Sequence, residues 1–528
     1  MAFENSQILP DFFPSLSLQF SGSPSRNSFA RNSRKSYDCP YYHREVHLPR
    51  LSQSCSVELP AWKREFLRGS KKEIDDPVRK TGKDLHQEDN TVGKTCLPSL
   101  DRMMLLMADY VRFEVSDING TAKGRMICVK DLSKSDLEQL RVKIKYGTAN
   151  HSAICYAEPT PKDGALGGKA PLVSQLPWLQ KSRGMRAVSL LCGTRIYTSR
   201  GTALWDPANP REVSQRLLKR LSNMGYHFYS RFSPDFTVTL AGGSAPHSIT
   251  DLMLYNTMQQ MSLAGIQATS SRVHKDGRVS ISLTEQTGLD AADTAFRLIN
   301  DMRECFSLDG KAATFLSKPF PDSSPNTMVF THRIRPAASG AEAFELSGTD
   351  GSMPDPVRHW IGGLQRHAPA LMAFCAPTTN CYWRCMESGF KECTWGLGPR
   401  SAAISVWKSP MFKSKEAVFE TDLSSSAANP YLVVAATLAA GIDGLTNRIE
   451  PMSSPGSRAG CPVLPIDLKE AVDALEKDET IMRALGKPLI ESFMYVKQAE
   501  MTVAEGFSSS ASVTEAIHHE REMYRNYI

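Results

Sequence analysis

The alternation of apolar and polar residues predicts where the ordered part of the chain begins. Val111–Val115 alternates in the manner of a strand, Asp117–Gly120 supplies a turn, and Arg125–Val129 resumes an extended pattern. These segments predict a β-hairpin that opens a small amino-terminal domain. Helical spacing over Ser133–Tyr146 and a buried strand over Arg186–Cys192 follow it.

A larger unit follows, in which helical and strand-like patterns alternate. Its first helix is predicted to begin at Pro210, and a strand-like run covers Phe236–Leu240. Further helices are predicted from apolar residues spaced three and four apart, over Ser248–Gly265, Ala291–Phe306, Asp355–Ala373, Pro430–Gly444 and Asp467–Leu485. Helices packed around an antiparallel sheet are typical of an α+β fold. We therefore predict two domains, at 104–200 and 201–528.

The amino-terminal segment differs from the rest of the chain. Residues 1–98 are rich in Ser, Arg and Pro and show no sustained hydrophobic period, so we predict a disordered extension. The run 26–36 would suit an organellar transit peptide, but Glu4 and Asp11 oppose both that reading and a signal peptide. No run approaches the roughly 18 consecutive apolar residues that cross a bilayer. A cytoplasmic protein with no membrane partner is the expectation.

Composition and charge narrow the classes of partner. Of the 528 residues, 41% are hydrophobic and 22% are charged, and the formal net charge of +6 contains no unbroken Lys/Arg block. A nucleic-acid-binding surface would concentrate positive charge in a stripe, so we predict no nucleic-acid partner. The twelve cysteines lack a CxxC pair, which favours reduced thiols over a disulfide framework.

Several segments in collinear order together resemble the glutamine synthetase family, between about Arg112 and Leu485. The strongest likeness lies in Ala427–Leu432, with the sequence AANPYL, and in the helical segment that follows it. Other matching segments are Trp360–Leu364, Ala376–Asn380 and Ala313–Pro319. The resemblance implies a small β-grasp domain followed by a large catalytic-type domain. It also implies a homo-oligomer of two stacked hexameric rings.

In working members of this family, ATP converts glutamate into a γ-glutamyl phosphate, which ammonia then attacks. Divalent cations offset the phosphate charge, and these cations require oxygen or imidazole ligands at fixed positions. The resemblance places the metal-ligand positions at Ser233, Asp235, Arg272, Ser280, Phe330 and Glu420. Only Glu420 keeps the family's residue, whereas Arg272 reverses the charge of its position.

The resemblance also assigns substrate-binding positions, at Arg384, Lys391, Arg400, Ser405 and Asp422. Arg384 and Arg400 match family arginines that hold glutamate and phosphate. Lys391 replaces the flap glutamate that accepts a proton from ammonium, and a charged lysine is not such a base. A shift of one residue would place Glu392 there instead. Ser405 and Asp422 both stand in place of family arginines.

These replacements predict a protein that has lost the family's ligase activity. We expect no catalytic residue, no metal, and no binding of ATP or of Mg²⁺ or Mn²⁺. The combination resembles an inactive, lens-associated branch of the family, whose members are thought to be structural or chaperone-like proteins that work with intermediate filaments. The apolar tip Tyr524–Ile528 would suit docking of the carboxy terminus into the opposite ring.

The charge reversal suggests how an emptied site would persist. Arg272, together with Lys391, would supply the positive charge once supplied by metal, by pairing with Asp235 and Glu420. Two alternatives stay open. One is an active ATP-dependent carboxylate-amine ligase with rearranged ligands, and the other is a small-molecule sensor that still grips a carboxylate or a phosphate.

Overall fold

The structure, a computed structural model, describes most of the chain after its first 107 residues. The described ranges are 108–129, 142–145, 154–159, 161–163, 169–171, 173–197, 203–243, 245–337, 344, 346, 353–389, 391–408, 416–508 and 512–525. The predicted extension at 1–98 lies outside them, as does most of the predicted helix Ser133–Tyr146. The end of that helix prediction was wrong, because Val142–Lys145 forms a strand.

The first sheet contains the predicted hairpin. Its strands are β1 (Tyr110–Ser116), β2 (Ala122–Cys128), β3 (Val142–Lys145), β4 (Ile154–Pro159), β7 (Val173–Gln175), β8 (Ala187–Tyr197) and β9 (Ala203–Trp205), while β5 (Pro161–Asp163) and β6 (Lys169–Pro171) pair separately. The main order is β2-β1-β8-β4-β3, with β1 and β8 parallel. In the hairpin turn, Asp117 accepts backbone N–H bonds from Asn119 at 3.0 Å and Thr121 at 2.8 Å. Gly120 there has a φ of +78°, a conformation that suits glycine.

The second sheet carries the large domain. Its strands are β10 (Tyr226–Leu240), β11 (Ala268–Val273), β12 (Arg278–Leu283), β13 (Gln286–Thr287), β14 (Lys311–Thr314), β15 (Met328–Pro336), β16 (Trp395–Leu397), β17 (Ile404–Lys408) and β18 (Ala417–Thr421). The order is β11-β12-β10-β15-β18-β17-β16, with β13 and β14 pairing β10. The pair β16 and β17 is parallel, so the sheet is mixed rather than purely antiparallel. The predicted α+β class is confirmed.

Helices surround this sheet. They are α1 (Pro177–Arg183), α2 (Pro210–Asn223), α3 (Asp251–Leu263), α4 (Asp290–Leu308), α5 (Asp355–Cys375), α6 (Thr379–Ser388), α7 (Pro430–Asn447), α8 (Leu468–Lys477), α9 (Glu479–Leu485), α10 (Lys487–Ser508) and α11 (Val513–Tyr524). The single helix predicted over Asp467–Leu485 is two helices. Asp478 breaks it, because its side chain accepts the backbone N–H of Ile481 at 3.0 Å and so caps α9.

Helices α5 and α7 pack closely because glycines line their contact. A Cβ on Gly363 would lie 2.3 Å from the carbonyl oxygen of Ala440, and one on Gly441 would lie 2.2 Å from the ring of Trp360. Trp360 itself is fully buried. The apolar helix α7 therefore forms one wall of the central core. This segment is the one identified in the sequence by its resemblance to the family.

Asn429 joins the two sheets at the start of α7. Its Oδ1 accepts the backbone N–H of Tyr431 at 3.0 Å, and Pro430 occupies the first helical turn. Its Nδ2 donates to the carbonyl oxygen of Asp117 at 3.0 Å, in the turn of the hairpin. Tyr431 donates its hydroxyl hydrogen to Asp293 at 2.7 Å. The AANPYL segment thus anchors the amino-terminal hairpin to the large domain.

The carboxy-terminal helix packs on its own chain. Glu520 on α11 accepts hydrogen bonds from Asn380 Nδ2 at 2.9 Å and from Trp383 Nε1 at 3.0 Å, both on α6. Tyr524 is buried and donates to Glu500 at 3.1 Å. Tyr524, the first residue of the predicted docking tip, is therefore buried within its own chain. Residues 526–528 of that predicted tip lie outside the described residues.

Two simpler expectations concern membranes and thiols. In the part of the chain that the structure describes, no helix has the length and apolar character needed to cross a bilayer. Eight of the nine cysteines within the described ranges are free thiols, namely Cys128, Cys192, Cys305, Cys375, Cys381, Cys385, Cys393 and Cys461. Burial raises the pKa of the Cys375 thiol to about 11, so this group stays protonated near neutral pH.

A buried histidine holds three helices together. His367 on α5 lies 2.6 Å through Nδ1 from Asp478 and 3.0 Å through Nε2 from Asp443 on α7. Two carboxylate partners require both ring nitrogens to donate, which is the imidazolium form. Burial alone would lower the pKa of His367, but the bonds to Asp478 and Asp443 raise it above its usual value.

This clamp makes stability depend on pH. Because the folded-state pKa of His367 is raised above the unfolded value of about 6.5, its stabilisation is fully present below that pH and is lost as pH rises through the folded pKa. In urea unfolding, the free energy of unfolding of the wild type should exceed that of His367→Gln most near pH 6. The difference between the two should shrink towards pH 9. His359→Gln, which removes a ring facing the exposed Glu450, is the control. A gap that stays constant with pH would contradict the clamp.

Candidate functional site

One face of the second sheet brings together most of the sequence-predicted positions. Because successive strand residues point to opposite faces, Ser233 and Asp235 on β10 share a face. The strand register places Asp235 opposite Ser280 on β12. It also places Glu420 on β18 opposite Ser405 on β17. We call this the acid-bearing face.

Asp235 is the most completely bonded acid on this face. Arg278 Nη1 donates to its Oδ2 at 2.7 Å, Ser280 Oγ donates to its Oδ1 at 2.5 Å, and Thr327 Oγ1 donates to Oδ2 at 3.0 Å. The side chain of Asp235 is 8% exposed and that of Arg278 is 22% exposed. A guanidinium and two hydroxyls therefore surround a carboxylate in a position that the resemblance assigns to cation binding.

The predicted pairing of Arg272 with Asp235 was wrong. Arg272 is exposed on the edge strand β11, opposite Ser280, and the partner of Asp235 is Arg278. The side chain of Lys391 is also exposed. Alternation along β12 carried the missing signal, because Arg278 lies two residues from Ser280 and therefore on the same face.

A histidine extends this network. His274 Nε2 lies 2.7 Å from Ser280 Oγ. Since Ser280 gives its hydroxyl hydrogen to Asp235, His274 is the donor in that contact. Burial and the charge of Arg278 lower the pKa of His274, so the ring is neutral near pH 7. In a hydrolase triad, the histidine lies between the serine and the acid and accepts the proton of the serine. Here Ser280 lies between His274 and Asp235 and donates its proton to Asp235, so His274 does not act as its general base.

Phe330 does not lie on the acid-bearing face. It is fully buried, with its ring 4.7 Å from that of Phe232 and 5.2 Å from that of His332. The residue after it, Thr331, is the one that stands opposite Glu420. The sequence-based placement of Phe330 among the ligand positions is therefore corrected by the pleat of β15. Burial lowers the pKa of His332 to about 3, so that ring is a neutral part of the core.

Glu420 and Asp422 form a second acidic pair beside arginines. Burial raises the pKa of Glu420, and the charge and backbone N–H of Arg400 oppose that rise. Burial likewise raises the pKa of Asp422, opposed by Arg384 and Arg400. Arg400 has a φ of +53° and an exposed side chain. The acids kept at this end of the face are thus compensated by arginine charge.

Arg384 is used by the fold. It is buried, and its guanidinium donates to the carbonyl oxygens of Asp422 at 2.9 Å and Leu423 at 2.6 Å. The cavity beside it, lined also by Cys385, has a volume of about 10 Å³. That is space for about one water molecule. An arginine held in this way has little room for a substrate carboxylate.

The other positions assigned to substrate binding contact neighbouring residues of the same chain. Ser405 is buried, and its Oγ accepts the backbone N–H of Ser401 at 2.9 Å, which holds the turn before β17. The carbonyl oxygen of Lys391 accepts the backbone N–H of Leu464 at 2.8 Å. Glu392 lies 4.0 Å from Arg458. The sequence-predicted flap residues therefore lie apart from the hydrogen-bonded network around Asp235.

The residues present do not fit a divalent cation. Within the ranges that the structure describes, no three His, Cys, Asp or Glu side chains are arranged to hold a metal ion. Both carboxylate oxygens of Asp235 are engaged by donors, and Arg278 places a positive charge where a cation would stand. A metal site needs acceptors free to bind the ion.

Comparisons with known proteins identify the family of the chain. The sequence profile of the glutamine synthetase catalytic domain matches residues 244–515, which is more than half of the chain. Mouse lengsin is 27% identical over 451 residues, covering 75% of this chain and 74% of that protein. Glutamine synthetase of Thermococcus kodakarensis is 30% identical over 409 residues, covering 71% and 86%. Ligand-free GmaS shares the fold, with a TM-score of 0.66 and 22% identity over 81% of this chain and 99% of its own.

Three observations lead to one conclusion: the mixed second sheet, the close packing of α5 on α7 and these matches. The chain belongs to the glutamine synthetase family. The resemblance predicted from the sequence is confirmed, including a similarity to lengsin.

The ion pair on the acid-bearing face is open to a direct test. Arg278→Met leaves the buried carboxylate of Asp235 without its counter-charge, and we expect a loss of about 3 kcal/mol in the free energy of unfolding. Arg272→Met removes a guanidinium from the neighbouring strand and should change stability by about 0.5 kcal/mol or less. Urea unfolding of both variants decides the point. Equal effects would mean that Arg278 is not the counter-charge.

Proposed function

We propose that this chain is a non-catalytic member of the glutamine synthetase family that works as a structural, homo-oligomeric protein. The observation that carries the proposal is the ion pair between Asp235 and Arg278 at 2.7 Å. This ion pair neutralises Asp235, the acid on β10, without a metal. The family's use of divalent cations then has no counterpart in these side chains.

Electrostatics support the loss of phosphoryl transfer. Making an acyl phosphate from ATP requires cations to offset the negative charge that collects between two anionic reactants. On this face Ser233 and Ser280 supply hydroxyls in place of acids, and Arg384 donates to backbone carbonyls. The chain keeps the frame of the site and uses its polar groups to bind one another.

Assembly is supported by exposed apolar side chains. Leu252, Tyr255 and Leu263 on α3 are 67%, 60% and 63% exposed. Their spacing places them along one side of the helix. Apolar side chains grouped in this way mark contact surfaces. We propose that they are covered in a ring-shaped homo-oligomer of the family type, located in the cytoplasm.

A metal titration tests the proposal. Adding Mg²⁺ or Mn²⁺ in millimolar amounts should leave the melting temperature of the full chain unchanged, because no cation site remains to be filled. The synthetase of Thermococcus kodakarensis, treated in the same way, is the matched control. A rise of many degrees in this protein would refute the metal-free reading. Native mass measured with and without EDTA reports on the assembly in the same samples.

An active ligase with rearranged ligands is the competing function, because Glu420 is still an acid and Asp422 adds another, both beside Arg400. Phosphate release from ATP, measured with glutamate and a panel of amines, separates the two. We expect phosphate to be released from ATP no faster with the protein than in buffer alone. Release that depends on an amine and is abolished by Glu420→Gln would establish the ligase.

The cellular role extends from the similarity to lengsin. We propose that the assembly associates with intermediate filaments as a scaffold or chaperone-like component. Purified protein should co-sediment with assembled vimentin filaments and should not co-sediment with actin filaments. Recovery in the pellet to the same extent without filaments would count against this partner.

A further inference from the structure

A cavity lies between α2, α7 and α9, away from the acid-bearing face. Its volume is about 300 Å³. Its polar lining includes Arg216 and Arg220 from α2, Arg483 from α9, and Asp443 and Asn447 from α7. No residue of the acid-bearing strands lines it. Three exposed arginines on two helices therefore line one concave surface.

The local acids are already engaged. Asp443 accepts hydrogen bonds from His367 at 3.0 Å and from Asn447 at 2.8 Å. Glu479 reaches Arg483 at 3.6 Å, but both side chains are more than four-fifths exposed, so water screens this pair. The cavity consequently carries an excess of positive charge.

Arg216 and Arg220 stand four residues apart on α2, where like charges repel. Arg216 is held in place, because its Nη2 donates to the carbonyl oxygens of Ala484 and Leu485, each at 3.0 Å. Burial and the charge of Arg220 lower the pKa of Arg216. A bound anion would relieve this repulsion, whereas a neutral ligand would not.

The walls indicate more than a bare ion. Leu217, Ala439 and Ala484 supply apolar surface, and Thr480 adds a hydroxyl. A volume of about 300 Å³ is at the lower end of pockets that hold small organic ligands, and it exceeds what a single phosphate group fills. Arginine forks match the geometry of phosphate oxygens.

We infer that this cavity is a binding site for a small phosphate monoester. Arg220 and Arg483 hold the phosphate, Arg216 adds charge from a fixed position, and the apolar wall receives the body of the ligand. Because Asp478 caps α9 and also bonds His367, the ligand would contact two of the helices that the His367 clamp joins, α7 and α9.

Isothermal titration calorimetry on the full chain tests this inference, with AMP and glucose 6-phosphate as probes and inorganic phosphate alongside. Arg220→Met/Arg483→Met should weaken binding of both monoesters by about tenfold or more, since each loses a charge-assisted bond. The control Lys219→Met/Lys477→Met changes exposed charges on α2 and α8 that do not line the cavity, and should bind as wild type. Melting temperatures without ligand check that all variants fold.

A second variant acts on the wall rather than on the charge. Ala484→Leu fills part of the cavity and should weaken AMP and glucose 6-phosphate while leaving inorganic phosphate unchanged. Absence of saturable monoester binding would overturn the inference, and so would equal loss in the lysine control. Binding of inorganic phosphate with exclusion of both monoesters would overturn the assignment of ligand class. Because the cavity is separate from the acid-bearing face, these results are independent of the metal titration.

Discussion

A carboxylate buried in a sheet must be compensated, and this requirement organises the strand face of the protein. Asp235 is 8% exposed, and an isolated charge at such a position would cost several kcal/mol. A metal ion is one solution, and an internal guanidinium with hydroxyl donors is another. The structure uses the second, through Arg278, Ser280 and Thr327. The compensation is permanent and does not depend on solute concentration.

The ion pair between Arg278 and Asp235 leaves the fold intact, because other contacts stabilise the fold. Asn429 ties the hairpin turn to α7, and glycines let α7 approach α5 closely. These contacts are far in sequence from Ser233, Asp235 and Ser280 on β10 and β12. The residues that build the core are therefore distinct from those at the positions that the resemblance assigns to cation binding.

The sequence predicted the large elements well, because long apolar periods depend on burial that the whole fold enforces. The helices at α4, α5 and α7 follow their predicted spans closely. Side-chain direction was harder. Phe330 was placed at the site by motif, but one residue of strand register moves a side chain to the opposite face. Arg272 was preferred to Arg278 by motif, although Arg272 lies on β11, one strand farther from Asp235 than Arg278 on β12. The cap at Asp478 depended on a hydrogen bond that periodicity does not show.

Arg278 also constrains how the sequence can change. A glutamate placed at position 280 would add an acid beside Arg278 and Asp235, which already form an ion pair. Removing Arg278 first would strand the Asp235 charge. Neither single step improves the protein, so building a cation site on this face would require at least two coordinated substitutions. The ion pair therefore makes each single substitution costly, even where the two together could be tolerated.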